Sequence, residues 1–550
     1  MSYKNQICEL YFLLHRNNIG EIGSRLSTLL KSLKSDLKYD SDSELQSYID
    51  NRDYLKTLYL LIGHVRDIYF GHGERDIAYM MIYVWYKFYP TLAIYAFHKF
   101  VINDCGSPFG CWNDIKYFCK FISKISDKGN QHPLIDIAIS CANNQLRMDY
   151  QKMYDTDSDS GSISNLSKWI PRENKIKWLF EKLVSDWFSL NNENIDFSYQ
   201  KKIYRQMITR NCNYLTNYPN TISNIFQKIT SNDNDNSDIG NNCIAKKVST
   251  QHYFYDNVFI GMYIKSAIAI NKRCQSNGLD IDTYPDAIWL NKKWCSIVTS
   301  FFECRGGIPL VDTSLDISNE SLYHAIGFAC LVAVKSGVFR ILLVSKTPIW
   351  IEFTNNDSIC SIVDKVWSSC EFRSGSQFSL SFDFLIDAIS KNKFDLSMKL
   401  FIFSQRFLFD WNDLFIRLKG KSSIIFWNVG TFLFSDMIDF HIDNYNEVLF
   451  VSGFGISLFA KFCCENVQYY GSYSFLLDCL YSTRYKVLSD YFDSQVFGCS
   501  GSSGCSGCSG CSGCSGCSGC SGCSGCSGCS DCSGCSGCSG CSGCSDSISE

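Results

Sequence analysis

The chain has 550 residues, enough for two or three domains, and 46% of them are hydrophobic and 15% aromatic. That supply of core-forming side chains excludes global disorder. With 51 Lys and Arg against 55 Asp and Glu, the formal net charge is −4. No whole-chain attraction to nucleic acid or an anionic membrane is expected.

The opening stretch, "MSYKNQICELYFLLHRNN", has no basic segment followed by a long apolar run. No signal peptide is expected. Residues 1–52 read as a polar helical arm, loosely attached. From Asp53 to about Leu146 the apolar spacing is mainly helical, and residues 53–300 are expected to form one α-helical module. "DYLKTLYLLIGHVRDIYFG" places Leu58, Leu61, Ile62, Val65 and Ile68 on one face, and Gly71 and Gly73 then stop the helix. "ERDIAYMMIYVWYKFY" and "TLAIYAFHKFV" begin two more. The most apolar run, Tyr79 to Phe97, contains Lys87 and Pro90, so it reads as two buried helices rather than a membrane span. Helix pairs joined by short turns suggest an α-helical repeat. Stretches rich in Asp, Asn and Ser at 149–165 and 231–242 read as flexible insertions. Between them, residues 168–230 carry ten Lys or Arg against five Asp or Glu. It is the one clearly basic region, read either as a solvated helix face or as a nucleic-acid surface.

Near Gly306 the pattern changes. "GIPLVDTS", "FRILLVS", "MKLFIFS", "SSIIFWNV" and "NEVLFVSGFG" are almost continuously apolar, as strands buried on both faces should be. "PIWIEFT" reads as an added edge strand. Helical stretches alternate with these runs. Residues 301–495 are therefore expected to form a doubly wound, mainly parallel α/β domain. Residues 496–550 repeat Gly-Cys-Ser and cannot build a core, so a disordered low-complexity tail is expected. Fifteen of the 31 cysteines fall there; the other sixteen show no framework spacing and read as reduced thiols.

In an open α/β sheet, ligands bind beyond the carboxyl ends of the strands. "VDTSLDIS", after the first strand, puts Asp312, Ser314 and Asp316 on one turn. Carboxylates and hydroxyls are what Mg²⁺ takes, but Asp and Ser before a helix also serve as N-caps. Both readings stay open. There is no Walker loop, no G-x-S-x-G and no H-E-x-x-H, so a non-enzymatic protein is expected.

Ordered segments along the chain carry a resemblance. They are "RDIYFGHGERDIAYMMI" (Arg66–Ile82), "FGCWNDI" (Phe109–Ile115), "SKWIPRE" (Ser167–Glu173), "YRQMITRNCNYL" (204–215), "FWNVG" (426–430) and "VSGFGISLFAKF" (451–462). With "VDTSLDIS" they resemble a family of giant-virus and plant proteins of unknown function. That family pairs a TROVE-like helical-repeat module with a von Willebrand factor A-like domain. The resemblance implies a degenerate adhesion-type Mg²⁺ site at Asp312, Ser314, Asp316 and Ser376. Gln405 stands where the family carries an Asp. It also implies RNA or ribonucleoprotein binding by the helical module and a protein partner at the A-like crevice, in host cytoplasm or in the virion, without a membrane.

The RNA candidates are Arg66, Arg75, Lys168, Arg172, Lys201, Lys202, Arg205 and Arg210 as phosphate contacts. Trp169, Trp178 and Tyr204 offer rings for stacking, although core burial is the favoured reading for Trp169 and Trp178. Arg66 with Asp67, and Glu74 with Arg75, also read as structural ion pairs. The competing expectation is a structural or protein-interaction component with no RNA role, because residues 1–150 carry 17 Lys or Arg against 16 Asp or Glu.

Overall fold

The six apolar runs pair into one sheet. They are β1 (Gly307–Asp312), β2 (Arg340–Val344), β3 (Ile349–Glu352), β4 (Lys399–Ser404), β5 (Ser423–Asn428) and β6 (Val448–Ser452). The order is β3-β2-β1-β4-β5-β6. Every pairing is parallel except β2 with β3, which is antiparallel and leaves β3 at the edge. The doubly wound, mainly parallel expectation holds, and the added edge strand lies where "PIWIEFT" put it. Because the chain runs outward from β1 on one side and from β4 on the other, the topological switch point lies between those two strands.

The computed structural model describes residues 2–14, 18–37, 45–68, 70–101, 109–153, 163–189, 196–217, 260–301, 304, 306–313, 319–344, 347–370, 383–384, 386–387, 399–404, 416, 423–429, 448–453, 455, 458–459, 461–462 and 472–496. The insertion at 231–242 and the Cys-Ser-Gly tail lie outside them.

Helices before the sheet are α1 (Tyr3–Phe12), α2 (Ile19–Asp36), α3 (Leu45–Arg66), α4 (Arg75–Phe88), α5 (Pro90–Val101), α6 (Asn113–Ile125), α7 (Pro133–Lys152), α8 (Lys177–Phe188), α9 (Phe197–Asn217), α10 (Ile260–Asn277) and α11 (Pro285–Ser300). Those within and after it are α12 (Asn319–Ser336), α13 (Ile359–Ser368), α14 (Ser472–Leu480) and α15 (Lys486–Val496). The run Tyr79–Phe97 is shared by α4 and α5, both with buried faces. No helix among the described residues is long and apolar enough to cross a membrane. Residues from Val487 onward form a separate unit, described only through residue 496.

Side chains alternate along each strand, so the sheet has two apolar faces. Val311, Leu343, Phe403 and Trp427 share one face and pack with α12. That helix is buried nearly all round, from Leu322 to Ala333. Phe328 sits 4.6 Å from Trp427, ring centre to ring centre. The far side of α12 is covered by α10, and two glycines let the backbones approach. A Cβ on Gly261 would lie 2.7 Å from the His324 ring, and one on Gly327 would lie 2.9 Å from Ile260. Two helices expected in the helical module, α10 and α11, thus belong to the layer that covers the sheet.

The other face meets the chain's first helix. Phe12 is fully buried, 5.2 Å from Phe450 and 6.0 Å from Phe426 by ring centres. The described residues of 1–52 are mainly helical, but α1 is part of a core rather than a loose arm. Its seven buried residues include Ile7, Leu10 and Tyr11. The insertion expected at 149–165 also begins later. Asp149 is buried in α7 and accepts hydrogen bonds from Ser164 N (3.0 Å) and Ser164 Oγ (2.5 Å), pinning both ends.

Replacing Phe12 with Ala should cost about 3–5 kcal/mol of stability, the usual range for emptying a buried Phe site. Chemical denaturation of the full chain measures it, and a loss below about 1 kcal/mol would return α1 to the status of an arm.

Candidate functional site

At the carboxyl edge of the sheet the strand ends turn polar. Asp312, Ser404, Asn428 and Ser452 end β1, β4, β5 and β6. They stand side by side in register on one face, and none is more than 3% exposed. Ser404 Oγ donates to Asp312 Oδ2 at 2.7 Å. Asn428 Nδ2 donates to the Phe12 carbonyl at 3.0 Å, tying the edge to the end of α1. Since α12 begins at Asn319, seven residues after Asp312, Asp312 is not that helix's N-cap. Ser404 is not among the candidates that the sequence motifs mark. It was legible as the last residue of an apolar strand beside the switch point.

One carboxylate with hydroxyls is oxygen chemistry that a hard divalent ion accepts. Among the described residues, no three His, Cys, Asp or Glu side chains are grouped to hold a metal. Ser314, Asp316, Ser376 and Gln405 lie outside the described residues.

The segments with the most motif character in the helical half build an internal junction. The α3 carbonyls left open at its C-terminus are closed by the following turn. His72 N donates to His64 O at 3.1 Å, and Glu74 N donates to Val65 O at 2.8 Å. The chain returns so closely that a Cβ on Gly71 would lie 1.7 Å from the His64 oxygen, and Gly73 has φ +68°. "GHGER" is therefore a helix stop, as expected, and not a phosphate loop.

Arg66 is buried. Its Nε and Nη2 donate to the two Asp114 oxygens at 2.9 and 2.6 Å. Burial opposes the charge on Arg66, but the Asp114 carboxylate outweighs it and the guanidinium pKa is raised. Cys111 N (2.7 Å) and the Tyr79 hydroxyl also donate to Asp114. Arg66 is thus withdrawn from the set of phosphate contacts. Its expected partner Asp67 instead accepts from Arg484, from the Tyr485 hydroxyl at 2.9 Å and from Phe70 N at 3.2 Å. Arg75 pairs with Asp76 rather than Glu74.

The remaining cations divide into two neighbouring places. Along α6, the Arg75 guanidinium stacks on Tyr117 at 3.9 Å from the ring centre. Lys116 Nζ lies 4.6 Å from Tyr117 and 5.8 Å from Trp169. Trp169 is 40% exposed, which overturns its expected place in a core: it sits in a short turn ahead of Pro171, and its ring points to solvent beside Lys116. Trp178 is half-buried, while Tyr204 is fully buried with its hydroxyl donating to Asn143 at 2.8 Å. Tyr204 cannot stack on a base from there.

The second place is a groove of about 840 Å³ between the 167–177 segment and α9. Lys168, Arg172, Lys177 and Arg205 line it, with Glu173 the one acid among the lining residues. Glu173 holds Lys201 Nζ at 3.0 Å and Arg205 Nη2 at 2.8 Å. Its pKa is held below the usual carboxylate value by the Lys201 hydrogen bond first, then by both positive charges. Lys201 also reaches Glu181 at 2.9 Å and is spent as a brace between α8 and α9. Lys202 and Arg210 are exposed on α9 and do not line the groove. Of the eight candidates, the structure brings Lys168, Arg172 and Arg205 together and adds Lys177, which no sequence motif marks.

No protein-family model matches the chain, and no curated protein sequence is similar to it.

Two predictions follow from the junction. Asp114→Ala should cost about 3–5 kcal/mol, because it leaves a buried guanidinium uncompensated. The Arg66→Ala, Asp114→Ala double variant should cost less than the two single losses summed. Denaturant unfolding of all three variants checks this, and additivity would refute the pairing. The second concerns pH. His64 is fully buried, its pKa lowered to about 3 by burial and then by Lys461. The Tyr485 hydroxyl donates to Asp67, so His64 Nδ1 must carry the proton that bridges the 3.1 Å to Tyr485. The folded chain keeps this imidazole neutral, whereas the unfolded chain takes up a proton below about pH 6.5. Stability therefore falls as pH drops from about 6.5 towards 3, by about 2 kcal/mol at pH 5. Comparing unfolding at pH 7 and 5 for the native chain and His64→Gln isolates the contribution. Equal pH slopes would refute it.

Proposed function

We propose that this chain is a non-enzymatic binding protein of a giant virus that engages RNA, or a ribonucleoprotein, through its helical half. The observation that carries the reading is the gathering of Lys168, Arg172, Lys177 and Arg205 around one groove, beside the exposed ring of Trp169. Cations take the phosphates, and a solvent-facing indole next to a lysine offers a base a face to stack on. The charge is local: it arises in a chain of net charge −4, so it is a patch rather than a property of the whole surface.

The resemblance to the TROVE-like and von Willebrand factor A-like pairing agrees with this reading. The mainly parallel sheet with one antiparallel edge strand supports the A-like half. There the polar edge at the β1/β4 switch point serves as the place for a protein partner. If Mg²⁺ takes part, Asp312 would hold it with Ser314, Asp316 and Ser376, and an acidic group of the partner would complete its shell. The protein works in host cytoplasm or as a packaged particle component.

A purely structural role is the second reading. It is favoured by the consumption of Lys201, and in part Arg205, by Glu173 and Glu181.

Filter binding of the full chain to structured and unstructured RNAs separates them. Salt-sensitive binding of micromolar affinity or better is expected. Lys168→Glu with Arg172→Glu should weaken it at least about tenfold and reduce the salt slope by about two. Both residues are exposed, so the fold should survive. No binding at low salt would leave the structural reading.

A further inference from the structure

The groove has more positive charge, and a different wall, than an RNA backbone in passing requires. Its floor is apolar, made by Ile170, Pro171, Phe180 and Ile208. Four cations face it, and its single carboxylate is already engaged by Lys201 and Arg205. In the wall, Ser167 is 3% exposed and its hydroxyl has no hydrogen-bond partner. A buried hydroxyl left unpaired is costly, and a ligand oxygen at the groove wall would supply the missing partner.

We propose that this groove is a pocket for the phosphorylated end of an RNA strand, a terminal phosphate monoester together with its nucleoside. The inference rests on the RNA reading above and names the part of the RNA that the groove takes. An internal phosphodiester carries a single charge, which one cation answers. A monoester carries about −1.5 to −2 near neutral pH and offers three acceptor oxygens, and it suits Lys168, Arg172, Lys177 and Arg205 with a hydroxyl donor beside them. Guanidinium groups bind such a group through paired, charge-assisted hydrogen bonds. The volume of about 840 Å³ lies in the range of small-ligand pockets, and the apolar floor gives the terminal base a surface to cover. The following nucleotides then meet Trp169 and the stacked Tyr117 on α6.

The test uses the full-length chain and a short labelled oligoribonucleotide in three forms: 5′-phosphorylated, 3′-phosphorylated, and hydroxyl at both ends. Nucleoside monophosphates serve as unlabelled competitors in the same anisotropy assay. One phosphorylated end should bind about tenfold more tightly than the hydroxyl form, and the preferred end identifies the strand polarity. Arg172→Ala should remove most of that preference and Ser167→Ala a several-fold share of it. Both variants should weaken the phosphorylated form by more than they weaken the hydroxyl form, so the ratio of the two affinities is the readout. Trp169→Ala should instead weaken all three forms alike. Equal affinity for the three forms, with salt-sensitive binding intact, overturns the pocket and leaves the RNA reading standing. If no form binds and no nucleoside monophosphate shifts the melting temperature, both fail. Tighter binding of a phosphopeptide than of any RNA form also overturns the inference.

Discussion

Arg66 and Asp67, consecutive at the end of α3, are buried and pulled in opposite directions. Arg66 reaches forward to Asp114 at the start of α6, and Asp67 is gripped by Arg484 and Tyr485, which follow α14. Opposite charges on adjacent residues fix the helix end against two parts of the chain at once. Such ions cannot be buried unless each is answered, and here each is answered several times over. The tight return through Gly71 and Gly73 makes this geometry available. It closes the α3 carbonyls and starts α4 within the same few residues, so the helical half is anchored where it meets the α/β half.

The same constraint accounts for the first helix. Once α3 and α14 are fixed side by side, the sheet face bearing Phe426 and Phe450 needs a cover, and Phe12 on α1 supplies it. The polar ends of β4 and β5 stay buried because their partners are built in: Ser404 binds Asp312, and Asn428 takes the last carbonyl of α1. A row of polar residues at the carboxyl edge is thereby stable without solvent.

Much of this architecture was legible in the sequence, for a physical reason. Strands buried on both faces must be apolar along their buried length, and "ILLV" (341–344), "LFIF" (400–403) and "IIFW" (424–427) are. "PIWIE" follows the second apolar run directly and was legible as an added strand; at the sheet edge its end residues Ile349 and Glu352 are exposed while Ile351 is buried. What the sequence did not reveal were pairings across long separations. Arg66 and Asp114 lie 48 residues apart, and a local reading gave Arg66 to its neighbour or to phosphate. Helical periodicity likewise shows that α10 has an apolar face, but not that the face is used against α12. Trp169 was misplaced because indole is usually buried, while the short turn ahead of Pro171 leaves it no core to enter.

The groove carries this logic to the surface. Its basic excess was visible as ten cations in residues 168–230, but a count cannot separate cations that brace the fold from those left to a ligand. The structure does so through the acids. Glu173 and Glu181 draw Lys201 inward between α8 and α9, and Glu173 also orients Arg205. That brace fixes the spacing between α9 and the 167–177 segment, leaving Lys168, Arg172 and Lys177 facing the space between them. The two carboxylates reduce the local charge, yet in holding the groove open they give the remaining cations a defined common target, which an unpaired basic helix in solvent would lack.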